Sequence, residues 1–194
     1  MILSNLLRGE KVYLSALTGD DAPALASWDA NTEYLRLFNA DPARPHTPEA
    51  IAEGIAESNK KTNAFRFGIR LVENDEMIGE EELDHIEWQH GVAWFGIGIG
   101  DPAYWGKGYG REATALLLRF GFWEINLHRI QLTVFDYNER AIAAYEKLGF
   151  VKEGTYREFL QRDGRRYDMF LYGLLRHEWE ARNAESAGRS TDDH

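Results

Sequence analysis

Six glycines fall within fifteen residues, at Gly96, Gly98, Gly100, Gly106, Gly108 and Gly110. The last three stand directly before REATALLLRF, a helix-forming run. The free N–H groups of that helix's first turn, together with its positive dipole end, form a receptor for an anion. Lys107 and Arg111 add two cations against the one acid, Glu112, between Tyr104 and Glu112. The turn therefore suits a phosphate-type ligand. Gly96, Gly98 and Gly100 alternate along one face of a strand and leave it bare, as close approach of a ligand, or a bulge, requires. The spacing is neither GxxxxGK[ST] nor GxGxxG, so the usual nucleoside-triphosphate and dinucleotide loops are excluded. A tight strand-to-helix turn with no ligand would use the same glycines.

A second feature is acidic. Glu73 to Glu87 holds eight carboxylates in fifteen residues, with no Lys or Arg among them. Such a run attracts cations. Strict alternation places Glu80, Glu82 and Asp84 on one face with Ile78 and Ile86, where crowding of like charge raises a carboxylate pKa towards that of a useful base. A solvated hairpin edge protected from aggregation explains the same run. The six histidines, His46, His85, His90, His128, His177 and His194, show no ligand spacing, and no metal is expected.

These residues need elements to hold them. Lys11 to Leu17 reads as a strand, the stretch after Gly19-Asp20-Asp21 as a helical pair, and Pro48 to Asn59 as a helix capped by Thr47. Phe65 to Val72, Met77 to Trp88 and Val92 to Gly100 form an antiparallel meander. An amphipathic helix from about Arg111 to Ile125 and a strand from Ile130 to Phe135 come next. Asn138 then caps a helix that Gly149 ends, and Phe150 to Phe159 with Arg166 to Leu175 make a hairpin about Asp163-Gly164. The expected fold is a mixed α/β (α+β) single domain built on one central sheet. Residues 1–183 form it, and Ala184 to His194 are expected to be a disordered tail.

Composition narrows the function. The chain has 194 residues, 22 Lys+Arg against 32 Asp+Glu for a net charge of −10, six Trp, nine Tyr, ten Phe and no cysteine. Thiol nucleophiles, disulfides and thiolate metal sites are excluded. The negative charge opposes nucleic-acid binding and suits a cationic partner. Met1 to Leu7 lack the cationic leader of a signal peptide, and nowhere do 18 apolar residues run together, so neither export nor a membrane is expected and the cytoplasm is the default.

The stretches YWGKGYGREA (Tyr104 to Ala113), NERAIAAYEKLGF (Asn138 to Phe150) and EGTYREFLQRDGRRYDMFLYGLLRHEW (Glu153 to Trp179) resemble the GNAT superfamily of acyl-CoA-dependent N-acyltransferases. The likeness is to the branch of ribosomal-protein N-terminal and spermidine acetyltransferases, and it covers nearly the whole chain. It implies a mostly antiparallel twisted sheet flanked by helices, with two strands splayed to hold acetyl-CoA. The family pattern [QR]xxGx[GA] cradles the diphosphate of coenzyme A and falls here on Trp105, Gly106, Lys107, Gly108, Tyr109 and Gly110, beside Arg111. Trp105 departs from Gln or Arg, but backbone donors need permissive main chain more than one side chain. By the same resemblance Gly98, Ile99 and Gly100 pair with the pantetheine amides, Asn138 touches that arm, and Tyr145 places its hydroxyl near the thioester sulfur.

Attack of an amine on a thioester requires a freed lone pair, a donor for the oxyanion and a proton for the departing thiolate. A thiol near ~8.5 and a phenol near ~10 differ by about 1.5 pKa units, so full transfer from Tyr145 costs about 2 kcal/mol and a hydrogen bond is easier. From periodicity alone Tyr145 also fits a core position, on one helix face with Ala141, Ile142 and Leu148. Glu82 is the candidate base, with Asp84 and Glu158 behind it. Thr133 stands where some relatives carry a glutamate. Tyr34, Phe38 and the final hairpin are expected to shape the acceptor pocket. The implied activity is direct acetyl transfer to a primary amine: a protein N-terminus, a polyamine or another small cationic amine. A non-catalytic acyl-CoA-binding module is the alternative, and free sheet edges allow a homodimer.

Overall fold

The computed structural model describes residues 5–189. Among these residues seven strands and six α-helices arise where period and capping direct them. The strands are β1 (Val12–Ala16), β2 (Phe65–Leu71), β3 (Met77–Glu87), β4 (Val92–Ile99), β5 (Arg129–Phe135), β6 (Val151–Arg162) and β7 (Arg165–Leu175). The helices are α1 (Ala22–Asp29), α2 (Thr32–Phe38), α3 (Pro48–Ser58), α4 (Tyr109–Arg119), α5 (Glu139–Leu148) and α6 (Arg176–Arg189). The side chain of Asn31 accepts the Glu33 and Tyr34 N–H groups at the start of α2, Thr47 accepts that of Ala50 in α3, and Asn138 that of Ala141 in α5. Each satisfies a donor that the first helical turn leaves free. Gly149, at φ +100°, ends α5.

The strand order is β1-β2-β3-β4-β5-β7-β6, and every neighbouring pair is antiparallel except β4 with β5. That parallel pair touches only through Val92, Ala93 and Trp94 against Arg129, Ile130 and Gln131. Beyond it, β4 stays bonded to β3 as far as Ile99, and β5 stays bonded to β7 as far as Phe135. Two intact half-sheets thus diverge, leaving the inner edges of β4 and β5 with backbone groups that have no strand partner. The split is the slot that the family resemblance implies.

Apolar residues cover both faces. Leu83, Phe95, Leu117, Phe122, Ile130 and Leu174 belong to the larger core, in which the sheet meets α4. Leu17, Leu25, Trp28, Tyr34, Leu35 and Ile55 form a second core under α1–α3.

Two expectations need correction. Strict alternation along β3 fails because bulges lie near both ends, one opposite Ile69/Arg70 and one between Asp84 and Glu87, where His85 takes φ +48°. Each bulge shifts the alternation by one residue. Ile78 and Ile86 therefore join Leu83 in the larger core, while Glu80, Glu82 and Asp84 line a cavity beside α3. Nor does the last helix stop at 183: α6 runs on to Arg189, across Ala184, Glu185, Ser186, Ala187 and Gly188. Residues 190–194 of the expected tail, and the first four residues of the apolar start, lie outside the described residues.

Candidate functional site

The slot between β4 and β5 is a cavity of about 740 Å³, within the usual size range of small-molecule sites. Gly98, Ile99, Trp105, Gly106, Lys107, Gly108, Tyr109, Gly110, Arg111, Asn138 and Tyr145 all line it. Among the described residues its charged lining is Lys107, Arg111, Arg140 and Lys147, without one carboxylate. In a chain of net charge −10 that is a pronounced local excess of positive charge.

The glycine turn has the geometry of an anion cradle. Gly106 at φ +73° and Gly108 at φ +88° adopt the left-handed conformation that L side chains resist, and a Cβ on either would meet only open space. Conformation, not crowding, requires glycine there. Gly108 is the N-cap of helix α4, and the first backbone bond runs from the Glu112 N–H to the Gly108 carbonyl at 3.0 Å. The amides of Tyr109, Gly110 and Arg111 are therefore the first-turn donors with no intrahelical acceptor. Gly110 is different: its φ is ordinary, and a Cβ would sit 3.5 Å from Ile99.

The bare face of β4 has another purpose than ligand approach. A Cβ on Gly98 would lie 2.6 Å from the Tyr34 hydroxyl, and one on Gly100 would overlap the Trp28 indole. These glycines admit the aromatic residues of α1 and α2. Gly100 does not line the slot, and its N–H is bonded to the Ile78 carbonyl at 2.9 Å. Gly96 faces Glu82, whose Oε1 would be 3.6 Å from an added Cβ.

On that side of the sheet lies a second cavity, of about 400 Å³. Glu57, Glu80, Glu81, Glu82 and Asp84 line it against Lys61 and Arg66. Glu80 is held by the Arg66 Nε at 2.7 Å, Asp84 lies 3.0 Å from the His85 ring, and Glu57 meets Lys60. Among the described residues Glu82 has neither an ion pair nor a hydrogen bond. Burial, reinforced by Asp84, pushes its carboxyl above the ordinary range, and Arg66 opposes the shift. Glu158, on β6, lines neither cavity: its N–H bonds to Asp168 across the hairpin at 2.8 Å.

Tyr145 stands on the opposite side of the sheet from Glu82, against Phe95 and Phe150 at ring separations of 6.0 and 5.8 Å. Among the described residues its hydroxyl has no hydrogen-bond partner. Burial raises its pKa, with a smaller contribution from Glu81. Phe38 and Gly96 line both cavities, so the two spaces are neighbours there. Phe38 stacks on Tyr34 at 5.5 Å, and the hairpin secures the roof above it through Arg162, which donates to the Asn39 and Asp41 carbonyls at 3.2 and 2.9 Å. Thr133 lines the slot from β5.

Sequence reasoning missed Arg140. Its guanidinium lies 4.0 Å over the Trp105 ring, a contact between two segments 35 positions apart that no local pattern announces. Among the described residues no helix is long and apolar enough to cross a membrane.

Known proteins share this arrangement. The model of the acetyltransferase (GNAT) domain matches residues 11–151. A putative ribosomal N-acetyltransferase of Bacillus subtilis is 35% identical over 176 residues, 88% of this chain and 94% of that one. The spermidine N(1)-acetyltransferase of Escherichia coli is 35% identical over 144 residues, 74% of each chain. A crystal structure of spermidine N-acetyltransferase from Vibrio cholerae, in complex with CoA and spermine, superposes with a TM-score of 0.79 at 27% identity, over 87% of this chain and 97% of that one. With a family model covering most of its length and relatives of this kind along the whole domain, the chain belongs to the GNAT family of N-acetyltransferases.

Proposed function

We propose that this enzyme transfers the acetyl group of acetyl-CoA directly to a primary amine on a cationic acceptor, of the polyamine or basic N-terminus class. The observation that carries the proposal is the separation of charge: a slot with four cations and, among the described residues, no acid adjoins, at Phe38 and Gly96, a cavity lined by Glu57, Glu80, Glu82 and Asp84 against Lys61 and Arg66, the Glu81 side chain being turned to the core. A phosphate-bearing carrier suits the first and an amine the second.

The residues then divide the work. The amides at the start of α4 and the left-handed Gly106 and Gly108 bind the carrier's diphosphate. The free inner edge of β4 offers backbone groups to the carrier's arm and to the oxyanion formed when the amine nitrogen bonds to the thioester carbon. Glu82, without an ion pair or hydrogen bond among the described residues and with a raised pKa, takes the proton from the attacking nitrogen. Collapse breaks the carbon–sulfur bond, and Tyr145 from the opposite side donates a hydrogen bond to the departing thiolate. Because burial lifts the phenol further above the thiol, each added unit makes full proton transfer dearer by about 1.4 kcal/mol, which favours donation over transfer.

The test is thiol release from acetyl-CoA across polyamines, aminoglycosides and N-terminal peptides, with the products weighed by mass spectrometry. Acetylated amine is the expected product, and Tyr145→Phe lowers kcat with little change in the KM for acetyl-CoA. Parallel lines in two-substrate kinetics would contradict direct transfer. CoA binding with no thiol released by any amine would identify a non-catalytic acyl-CoA-binding module instead.

A further inference from the structure

Trp105 occupies the position where the family pattern has Gln or Arg, and its indole N–H donates to the Ile99 carbonyl at 2.7 Å. The ring is thereby tied to the last residue of β4. Arg140, in the first turn of α5, lays its guanidinium over that ring at 4.0 Å. Since α5 follows β5 and Trp105 follows β4, the stack spans the mouth of the split between the two strands. Both residues line the slot.

Arg140 is the cation there that an aromatic face holds in place. Burial strips water from its guanidinium and lowers its pKa; Glu33 pulls the other way without forming an ion pair. Among the described residues the guanidinium has no hydrogen-bond acceptor. A guanidinium held over a ring face still has N–H donors to offer, and its planar fork is the group that recognises phosphate oxygens in pairs. A cation held on a ring, short of acceptors and facing a space with no carboxylate is prepared for an anion.

We propose that Arg140 is the side-chain ligand of the carrier's diphosphate and that Trp105 is the support that fixes it there, so that the pair supplies the charge which the family's Gln or Arg position lacks in this chain. The proposal rests on the reading of the slot as the acyl-CoA site. Arg140 binds and positions; it takes no part in the transfer itself.

The experiment is calorimetric titration of CoA and of dephospho-CoA, which keeps the diphosphate but lacks the 3′-phosphate. The proteins are the wild type, Arg140→Met, Trp105→Leu and the double variant, each first shown by thermal denaturation to be folded. Each single variant is expected to bind CoA about tenfold more weakly. The double variant should be little worse than either single one, because ring and guanidinium act as one unit. The loss should be equal for dephospho-CoA, and raising the salt should weaken binding less in Arg140→Met than in the wild type. At saturating acetyl-CoA, kcat should stay within about twofold, which separates this role from a distorted active site. CoA binding unchanged in Arg140→Met, or a loss that disappears with dephospho-CoA, would overturn the assignment to the diphosphate. A wild-type protein that failed to bind CoA would overturn the acyl-CoA reading itself.

Discussion

Glu81 allows a stability experiment whose sign and slope follow from the fold. Its side chain points from β3 into the larger core, on the face opposite Glu82, and the residue is 1% exposed. Among the described residues neither carboxyl oxygen has a hydrogen-bond partner. Burial alone pushes its pKa well above the ordinary 4.5, and no cation compensates. The folded protein therefore retains a proton that the unfolded chain releases. Below pH 4.5 the group is neutral in both states and its share of stability is fully present. As the pH rises from there to the folded-state pKa, that share is lost at about 1.4 kcal/mol per unit. For a chain of this size each 1 kcal/mol is worth roughly 2–4 °C in Tm. Glu81→Met keeps the volume and removes both the proton and the unpaired oxygens. Urea denaturation of the two proteins at pH 5, 6 and 7 should show the variant's advantage growing with pH up to the folded-state pKa, because the other titrating groups cancel in the difference. A difference that stays flat, or a variant less stable at every pH, would refute a buried neutral acid at this position.

Two further outcomes concern the site. Gly108→Ala forces an L residue to φ +88°, a cost of roughly 1–2 kcal/mol, and should weaken CoA binding in calorimetry; Gly110→Ala adds a methyl at ordinary φ in a helix and should bind CoA normally with unchanged or raised Tm. Glu82→Gln should lower kcat by about 10²–10⁴-fold, and the acidic limb of the wild-type pH–rate profile, set above 4.5 by the burial of Glu82, should disappear in the variant.

Much of this architecture is written locally. The Asn138 cap, the Gly149 stop, the Asp163-Gly164 turn and the short loops of the meander each specify their element within a few residues, and the structure follows them. The glycine cradle is legible for the same reason, since left-handed backbone must be written as glycine. What stayed hidden depends on distant partners. A bare strand face has two causes, a ligand or an aromatic neighbour, and only the placement of Trp28 and Tyr34 over Gly100 and Gly98 distinguishes them. The face taken by Glu81 depends on bulges whose register β2 and β4 impose. Arg140 and Trp105 meet only because the sheet divides, and Glu158 leaves the site because the hairpin turns it outwards. Helix α6 passes its expected end because small and polar residues such as those of Ala184 to Gly188 read as a loop although their backbone can continue a helix.

The junction at Phe38 and Gly96 has an evolutionary corollary. On the function proposed above, donor and recipient are read by separate sets of residues that have little more than Phe38 and Gly96 in common. Exchanging side chains on α3 and the outer half of β3 would redirect the enzyme to new recipients while its hold on the donor stayed intact. A scaffold divided in this way can diversify one half of its chemistry at a time.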